Sequence, residues 1–305
     1  LHLEVFSEYL RAFFISSFII QRTNQAIMSE KEIISALKYV SRMKPEFMLS
    51  EMRNYTKSEM STEEIYNIAN SSFFDLGLDI IPAGDDYKVI RAPKGYIELS
   101  DREEQINEAF FRSAGVARKL ERLIEQYIEK KTGKSWDDPS VLEKIRRAVQ
   151  SQKADYWKEG KARNITYEKG YHILGYLAYQ FPVYFVQFQH ILYRMVQEGL
   201  LKKRLKILDL GSGPGTVPLA VIDLYNRLED HKALIYSVEM YDENIEAYSS
   251  IVPQYAQIKG NVQVREPLKA DISRLDVDSL PDRIDIIVFS NVLNEIKELS
   301  IREKA

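Results

Sequence analysis

Residues 205–216 read LKILDLGSGPGT, a short apolar run that ends in an acid and three glycines at alternate positions. The pattern is that of a buried strand running into a tight loop at a ligand, and the identity of that ligand decides the fold. A phosphate-binding P-loop requires a lysine and a hydroxyl residue after its last glycine. Here Gly215 is followed by Thr216-Val217, and no lysine is present. A dinucleotide fingerprint, G-x-G-x-x-G, sets its third glycine for close helix–strand packing. Here the spacing is Gly211, Gly213, Gly215, and Pro214 stiffens the turn. Asp209 stands before the first glycine, where a carboxylate repels a pyrophosphate but accepts hydrogen bonds or pairs with a cation.

Downstream, strand-like runs alternate with helical ones. LKILDL, ALIYSVEM, NVQVRE and DIIVFSNVL read as strands, and VPLAVIDLYNRL and DENIEAYSSIV as helices. Such alternation predicts a mostly parallel sheet with crossover helices. Glu239 closes the second strand, where a carboxylate can accept both hydroxyls of a ribose. Met240 then offers an apolar face to an adenine, and Asp271, with Ile272 beside it, is placed to accept an adenine amino group. Ser290-Asn291 ends the fourth strand, on the carboxyl edge where open α/β sheets bind ligands. A ligand with a ribose, an adenine, a cationic centre and no phosphate is S-adenosylmethionine. The predicted cofactor-binding set is therefore Asp209, Gly211, Ser212, Gly213, Pro214, Gly215, Glu239, Met240, Asp271, Ile272 and Asn291.

These motifs in this order resemble the class I S-adenosylmethionine-dependent methyltransferase superfamily over residues 201–300. The resemblance implies a Rossmann-like α/β domain that leaves S-adenosylhomocysteine as its product. It implies three strands beyond the fourth, which nothing after Ile296 supplies, so the sheet is expected to be C-terminally incomplete and the chain a fragment. A narrower likeness lies in YLAYQFPVYFVQFQHIL upstream of the loop, then VEMYDEN, then a Val-Leu-Asn-Glu-Ile turn. Together they look like the methyltransferase-like proteins of the small ribosomal subunit, known from mitochondria and with prokaryotic relatives. That likeness implies rRNA or small-subunit contact and a role in ribosome assembly, with or without methylation. The mitochondrial members ligate an iron–sulfur cluster through cysteines; this chain has none.

Upstream of the loop, residues 1–165 read as a mainly helical domain with a hairpin near 78–92, followed by the methyltransferase domain over 166–305 with an aromatic-rich lead-in at 167–201. Ser29 opens a helix with capping-box spacing to Glu32, and Ser61-Thr62-Glu63-Glu64 gives a second helix-start signal. The helix and hairpin suit either a winged-helix-like module or, more plainly, a hairpin decorating a helical domain. Residues Arg102 to Lys131 read as one long amphipathic helix, and two helical pieces are expected to meet near Phe181-Pro182.

The most basic stretch, 144–163, carries Lys144, Arg146, Arg147, Lys153 and Lys158, with Trp157 among them. Cations interleaved with aromatic faces are what a single-stranded nucleic-acid surface uses, although a solvated helix face has the same composition. Net charge is −3, so the chain as a whole is no generic polyanion binder. The absence of cysteine excludes disulfides, thiolate metal sites and Cys nucleophiles. His172 and His190 lack the spacing of a metal site and read as packed or surface residues, so no metal is expected. The run AFFISSFII at 12–20 is too short to span a membrane, which needs about 20 apolar residues. A cytoplasmic protein without a membrane role is therefore expected.

The acceptor is less legible. The Asn/Asp-Pro-Pro-aromatic motif of amino-methylating nucleic-acid enzymes is absent after the fourth strand. Asn291, Asn294 and Glu295 are polar candidates for catalysis there, although Asn294 and Glu295 equally suit a helix cap. Three functions fit: an enzyme methylating ribosomal RNA, a small-molecule methyltransferase with a helical lid, and a non-catalytic assembly factor that keeps the cofactor fold.

Overall fold

The computed structural model describes residues 30–56, 60–156, 170–276, 278, 280–281 and 283–292. The run at 12–20 and the cap at Ser29 lie outside them. The chain divides into two units, one up to Pro93 and one from Lys94 onward, rather than at 165–166.

In the first unit, a helix over residues 30–43 (α1) leads into β1 (Glu46–Met48), a 3-10 turn (Leu49–Asn54) and α2 (Thr62–Phe73). The unit ends in β2 (Leu78–Ala83) and β3 (Asp86–Arg91). Ser61 caps α2 by accepting from the Glu64 N–H, while the Glu64 carboxylate accepts from the Ser61 N–H at 2.7 Å. Gly84, at φ 65°, makes the two-residue turn between β2 and β3, and β1 adds to the hairpin in the antiparallel order β1-β3-β2. Ile33, Leu37 and Val40 recur at helical spacing on α1 and pack with Phe47, Met52, Ile65, Ala69 and Val89. The order helix, strand, short helix, helix, hairpin is that of a winged-helix-like module. Three-residue β1 was too short to read from sequence.

The second unit opens with α3 (Asp101–Arg112), α4 (Arg118–Thr132) and α5 (Pro139–Tyr156). The single helix expected from Arg102 to Lys131 is in fact two. Ser113, at φ −138°, leaves helical geometry, and Gly115 in the Ser113–Ala117 link disfavours continuing it. Leu120, Ile124, Tyr127 and Ile128 of α4, and Val141 and Ile145 of α5, enter the same core as the sheet strands. Burial of these faces, α4 against the helix at Asp242–Ala256 and α5 against the one at His172–Gly175, is why the helices belong to this unit.

From His172 the chain forms a short helix α6 (His172–Gly175), a π-helical turn (Tyr176–Gln180) and α7 (Phe181–Gln197) without interruption. Pro182 has no N–H to return to Ala178, so α-helical pairing fails there. The Phe181 N–H instead bonds five residues back, to the Tyr176 carbonyl.

Four strands then form the parallel order β6-β5-β4-β8: β4 (Arg204–Leu210), β5 (Lys232–Glu239), β6 (Val262–Val264) and β8 (Ile286–Val288). The two-residue β7 (Leu268–Lys269) continues the pairing along β5. Helices α8 (Thr216–Asn226) and α9 (Asp242–Ala256) cross between β4, β5 and β6. This is the half-sheet of a Rossmann-like α/β fold, with strand order reversing between β4 and β8. Leu205 and Ile207 of β4, and Ala233 and Ile235 of β5, face the helices; Leu208, Leu210 and Val238 face the other way.

Asp223 is the one charged residue buried on α8, a helix otherwise apolar on all sides. It accepts from Gln189 on α7 at 2.8 Å, from Tyr255 on α9 and from Arg227. Arg227 also donates to Asn107 on α3 at 2.9 Å and lies over the Phe110 ring. One buried ion pair thus ties four helices together. Among the described residues, no helix is long and apolar enough to cross a membrane.

Replacing Arg227 with Met leaves the Asp223 charge buried without its cation. This is expected to cost about 3–5 kcal/mol of stability, read as a lower denaturation midpoint by circular dichroism.

Candidate active site

The carboxyl end of β4 lies at the strand-order reversal, where the crevice of an open α/β sheet binds ligands. Strand parity decides which side chains reach it. Asp209 follows Leu205 and Ile207 on the helix-facing side of β4, and Glu239 follows Ile235 and Ser237 on the same side of β5. The two acids therefore stand on adjacent strands, at the same edge and on the same face.

Asp209 is fully buried, and neither of its carboxylate oxygens has a hydrogen-bond partner. Burial first, and then the charge of Glu239, push its pKa up to about 8. Glu239 is also buried but well held: Oε2 accepts from the Gly213 N–H at 2.8 Å, and Oε1 accepts from the N–H groups of Met240 and Tyr241. A carboxylate fixed by three backbone donors keeps lone pairs for further hydroxyl donors.

The glycines have different physical reasons. Gly211, Gly213 and Gly215 all have positive φ, at 75°, 55° and 95°. A Cβ at 211 would stand 2.5 Å from Val292 Cγ2, and one at 215 only 2.4 Å from Val252 Cγ2. At 213 a Cβ would meet nothing within 4 Å, so that position opens on free space. Pro214 sits inside the turn closed by the Gly215 N–H to the Ser212 carbonyl at 3.0 Å. The Ser212 hydroxyl is buried and unpartnered.

The remaining predicted residues surround this loop less closely. Met240 is 44% exposed beyond Glu239. Asp271 follows β7, whose Lys269 pairs with Glu239, so it shares that edge. Its Oδ1 accepts from the Ser273 N–H and hydroxyl, capping the short turn that holds Ile272. Asn291 is exposed just past β8 in the left-handed conformation, φ 60°, a region asparagine tolerates better than most residues. Asn294 and Glu295 lie outside the described residues. Among the described residues, no group of three or more His, Asp or Glu could hold a metal.

Two groups escaped sequence reading. Asn244 is buried, its Oδ1 is unpartnered, and it stands one turn before Tyr248 and two before Val252 on the α9 face that meets Gly215. The signal was a lone amide on an apolar stripe. Tyr176, from the π-helical turn, places its hydroxyl 3.0 Å from Thr216 Oγ1, immediately after the loop.

Where it is described, the basic stretch is partly engaged within the fold. Arg146 and Arg147 both donate to Glu143, whose carboxyl they hold down at about 2. The Lys144 ammonium lies 5.2 Å from the Tyr171 ring centre. Trp157 and Lys158 lie outside the described residues, as does the side chain of Lys153.

The donor set suits a cation that also presents hydroxyls: an orphaned buried carboxylate, a preorganised second carboxylate and a left-handed loop without a lysine. A native Asp209 with a raised pKa holds a proton that the unfolded chain releases. Its contribution to ligand-free stability is therefore fully present below the ordinary carboxylate range and is lost as pH rises to about 8. The Asp209→Asn protein is expected to show a flatter profile of melting temperature across that window. Gly215→Ala, by forcing a Cβ onto Val252 at a left-handed position, should cost at least about 2 kcal/mol. Urea denaturation would measure it.

Residues 30–84 match the family described as Domain of unknown function (DUF8157) N-terminal domain. No curated protein matches the chain. Among solved structures, it is similar to the YcgJ protein from Bacillus subtilis, at 25% identity over 35% of this chain and 42% of that one, with a TM-score of 0.23. It is also similar to human N-acetylserotonin methyltransferase, solved in complex with SAM, at 12% identity over 92% and 71% of the two chains, with a TM-score of 0.27. A third likeness is to an O-methyltransferase family protein from Burkholderia thailandensis, at 12% identity over 85% and 64%, with a TM-score of 0.23. The chain spans less than half the length of the first of these. Likenesses this low bring no residue roles with them; the roles rest on the geometry of β4, β5 and the loop between β4 and α8.

Proposed function

We propose that the chain is an S-adenosylmethionine-dependent methyltransferase whose acceptor is a small molecule. The observation that carries the reading is the Asp209 carboxylate, buried at the strand-order reversal with both oxygens unpartnered and Glu239 fixed on the same face. A buried unpaired carboxylate is costly, and a cationic ligand relieves that cost. Glu239 would accept the ribose hydroxyls, the open side of Gly213 would admit the ligand, and exposed Met240 with Ile272 would flank the adenine.

When bound, S-adenosylmethionine supplies a methyl group on a sulfonium: an acceptor lone pair takes the carbon, the C–S bond breaks, and its electron pair stays on sulfur in S-adenosylhomocysteine. The chain's own contribution is alignment, which for an in-line displacement is most of what catalysis needs. Asp209 and Glu239 hold the donor end against the loop. A general base is required only where the acceptor carries a proton to remove.

The acceptor reading follows from charge. An RNA surface needs cations in excess of their partners, and three of the candidate cations already have contacts within the fold: Arg146 and Arg147 share the single Glu143 carboxylate, and Lys144 lies over Tyr171. The ribosomal reading, as enzyme or as assembly factor, rests on the narrower sequence resemblance and on the basic stretch.

Isothermal titration is expected to show S-adenosylmethionine binding to the wild-type chain and a rise in Kd of at least about tenfold for Glu239→Ala. A wild-type chain that takes up no S-adenosylmethionine would end the methyltransferase reading. Transfer of labelled methyl to purified small-subunit RNA, with none to small molecules, would restore the ribosomal one.

A further inference from the structure

The π-helical turn carries a second set of polar groups that the donor site does not use. Gln152 on α5 is buried, and its Nε2 donates to the His172 carbonyl at 2.9 Å. A carbonyl can only accept, so this bond fixes the Gln152 amide with Oε1 turned the other way. That oxygen accepts from Gln180 Nε2 at 3.2 Å, which fixes the Gln180 amide in turn. The relay ends at Gln180 Oε1, a buried acceptor with no donor. A lone amide would rotate to find a partner; here the chain of bonds from His172 holds it in the unsatisfied orientation.

The surroundings indicate what would satisfy it. Gln180 lies four residues after Tyr176, on nearly the same side of a turn wound this widely. Tyr176 is anchored beside the glycine loop by Thr216. Tyr184 lies four residues further on, with its ring centre 6.4 Å from that of Tyr176. Tyr176 and Tyr184, both partly buried, thus stand four residues on either side of a preset hydrogen-bond acceptor, one turn away from the loop that would hold the methyl donor.

We propose that Gln180 is a specificity-determining residue for the methyl acceptor, selecting a planar aromatic small molecule that carries an N–H or O–H donor, and that Gln152 is the residue that positions it. The inference rests on the methyltransferase reading above. Its failure is separable from the failure of that reading, because S-adenosylmethionine binding does not pass through Gln180. An unpaired buried acceptor discriminates by what the wrong ligand leaves unsatisfied.

The test uses the full chain and a panel of phenols and anilines paired with their donor-free analogues, anisoles and N,N-dialkylanilines. Binding in the presence of S-adenosylhomocysteine is followed by saturation-transfer NMR, and methyl transfer by label incorporation. Wild type is expected to prefer the donor-bearing members by about tenfold. Gln180→Leu should abolish that preference, and Gln180→Glu, which cannot donate to Gln152, should not retain it. Gln152→Leu, which frees the Gln180 amide to turn over, should weaken the preference without removing binding. S-adenosylmethionine affinity should stay within about twofold in all three. An unchanged preference in both Gln180→Leu and Gln152→Leu would overturn the proposal, as would a wild-type chain that binds S-adenosylmethionine and none of the panel. A wild-type chain that binds no S-adenosylmethionine would remove the reading beneath it.

Discussion

The loop after β4 closes because nothing larger than hydrogen stands at positions 211 and 215. Val292, arriving from β8, fills the space at Gly211, and Val252 with Tyr248, from α9, fills the space at Gly215. Two elements distant in sequence therefore converge on one short loop, and each fixes a different part of the site. The β8 contact sets the crevice at the strand-order reversal. The α9 contact brings Asn244 and the Tyr248 hydroxyl, which is bonded to Ser237, to the face that carries Asp209 and Glu239. The left-handed backbone itself turns the Gly213 N–H onto Glu239.

The electrostatics follow from this packing. Asp209 gains nothing from its neighbours: it is buried, unpartnered and repelled by Glu239. Glu239 is bonded three times to backbone N–H groups and serves as the fixed reference of the pair. One acid is preorganised by backbone donors, whereas burial raises the pKa of the other. The buried Asp223–Arg227 pair differs in kind: its hydrogen-bonding groups are matched across four helices, and it contributes to architecture.

The parts of this arrangement that depend on local chemistry were legible in the sequence. The alternating glycines, the acid before them, the acid closing the next strand and the alternation of strand and helix are all short-range signals, and the parallel sheet follows from them. A helix start was also legible: the Ser61-Thr62-Glu63-Glu64 signal opens α2. What failed was what only tertiary packing decides. The link between α3 and α4 shows only as a weak Ser-Ala-Gly interruption in a strong amphipathic pattern. The allegiance of α3, α4 and α5 to the second unit depends on which core their apolar faces enter, and periodicity is silent on that. Asn244 and Gln180 are single amides among apolar residues, and only the unmet hydrogen bonds of the folded chain distinguish them.

The π-helical turn makes the stretch between α5 and β4 a counted object. A π turn holds one residue more than the α-helical turn it replaces, and here Pro182 forces that extra residue to be accommodated. Side chains upstream of it are out of phase with α7 by roughly 100° relative to an unbroken helix. The phase at which Tyr176 meets Thr216 is therefore set by the number of residues between them as much as by their identity. Substitution within 176–180 alters one contact, whereas loss or gain of a single residue there would turn everything before it around the helix axis. Chain length at this point is itself a specification of the site.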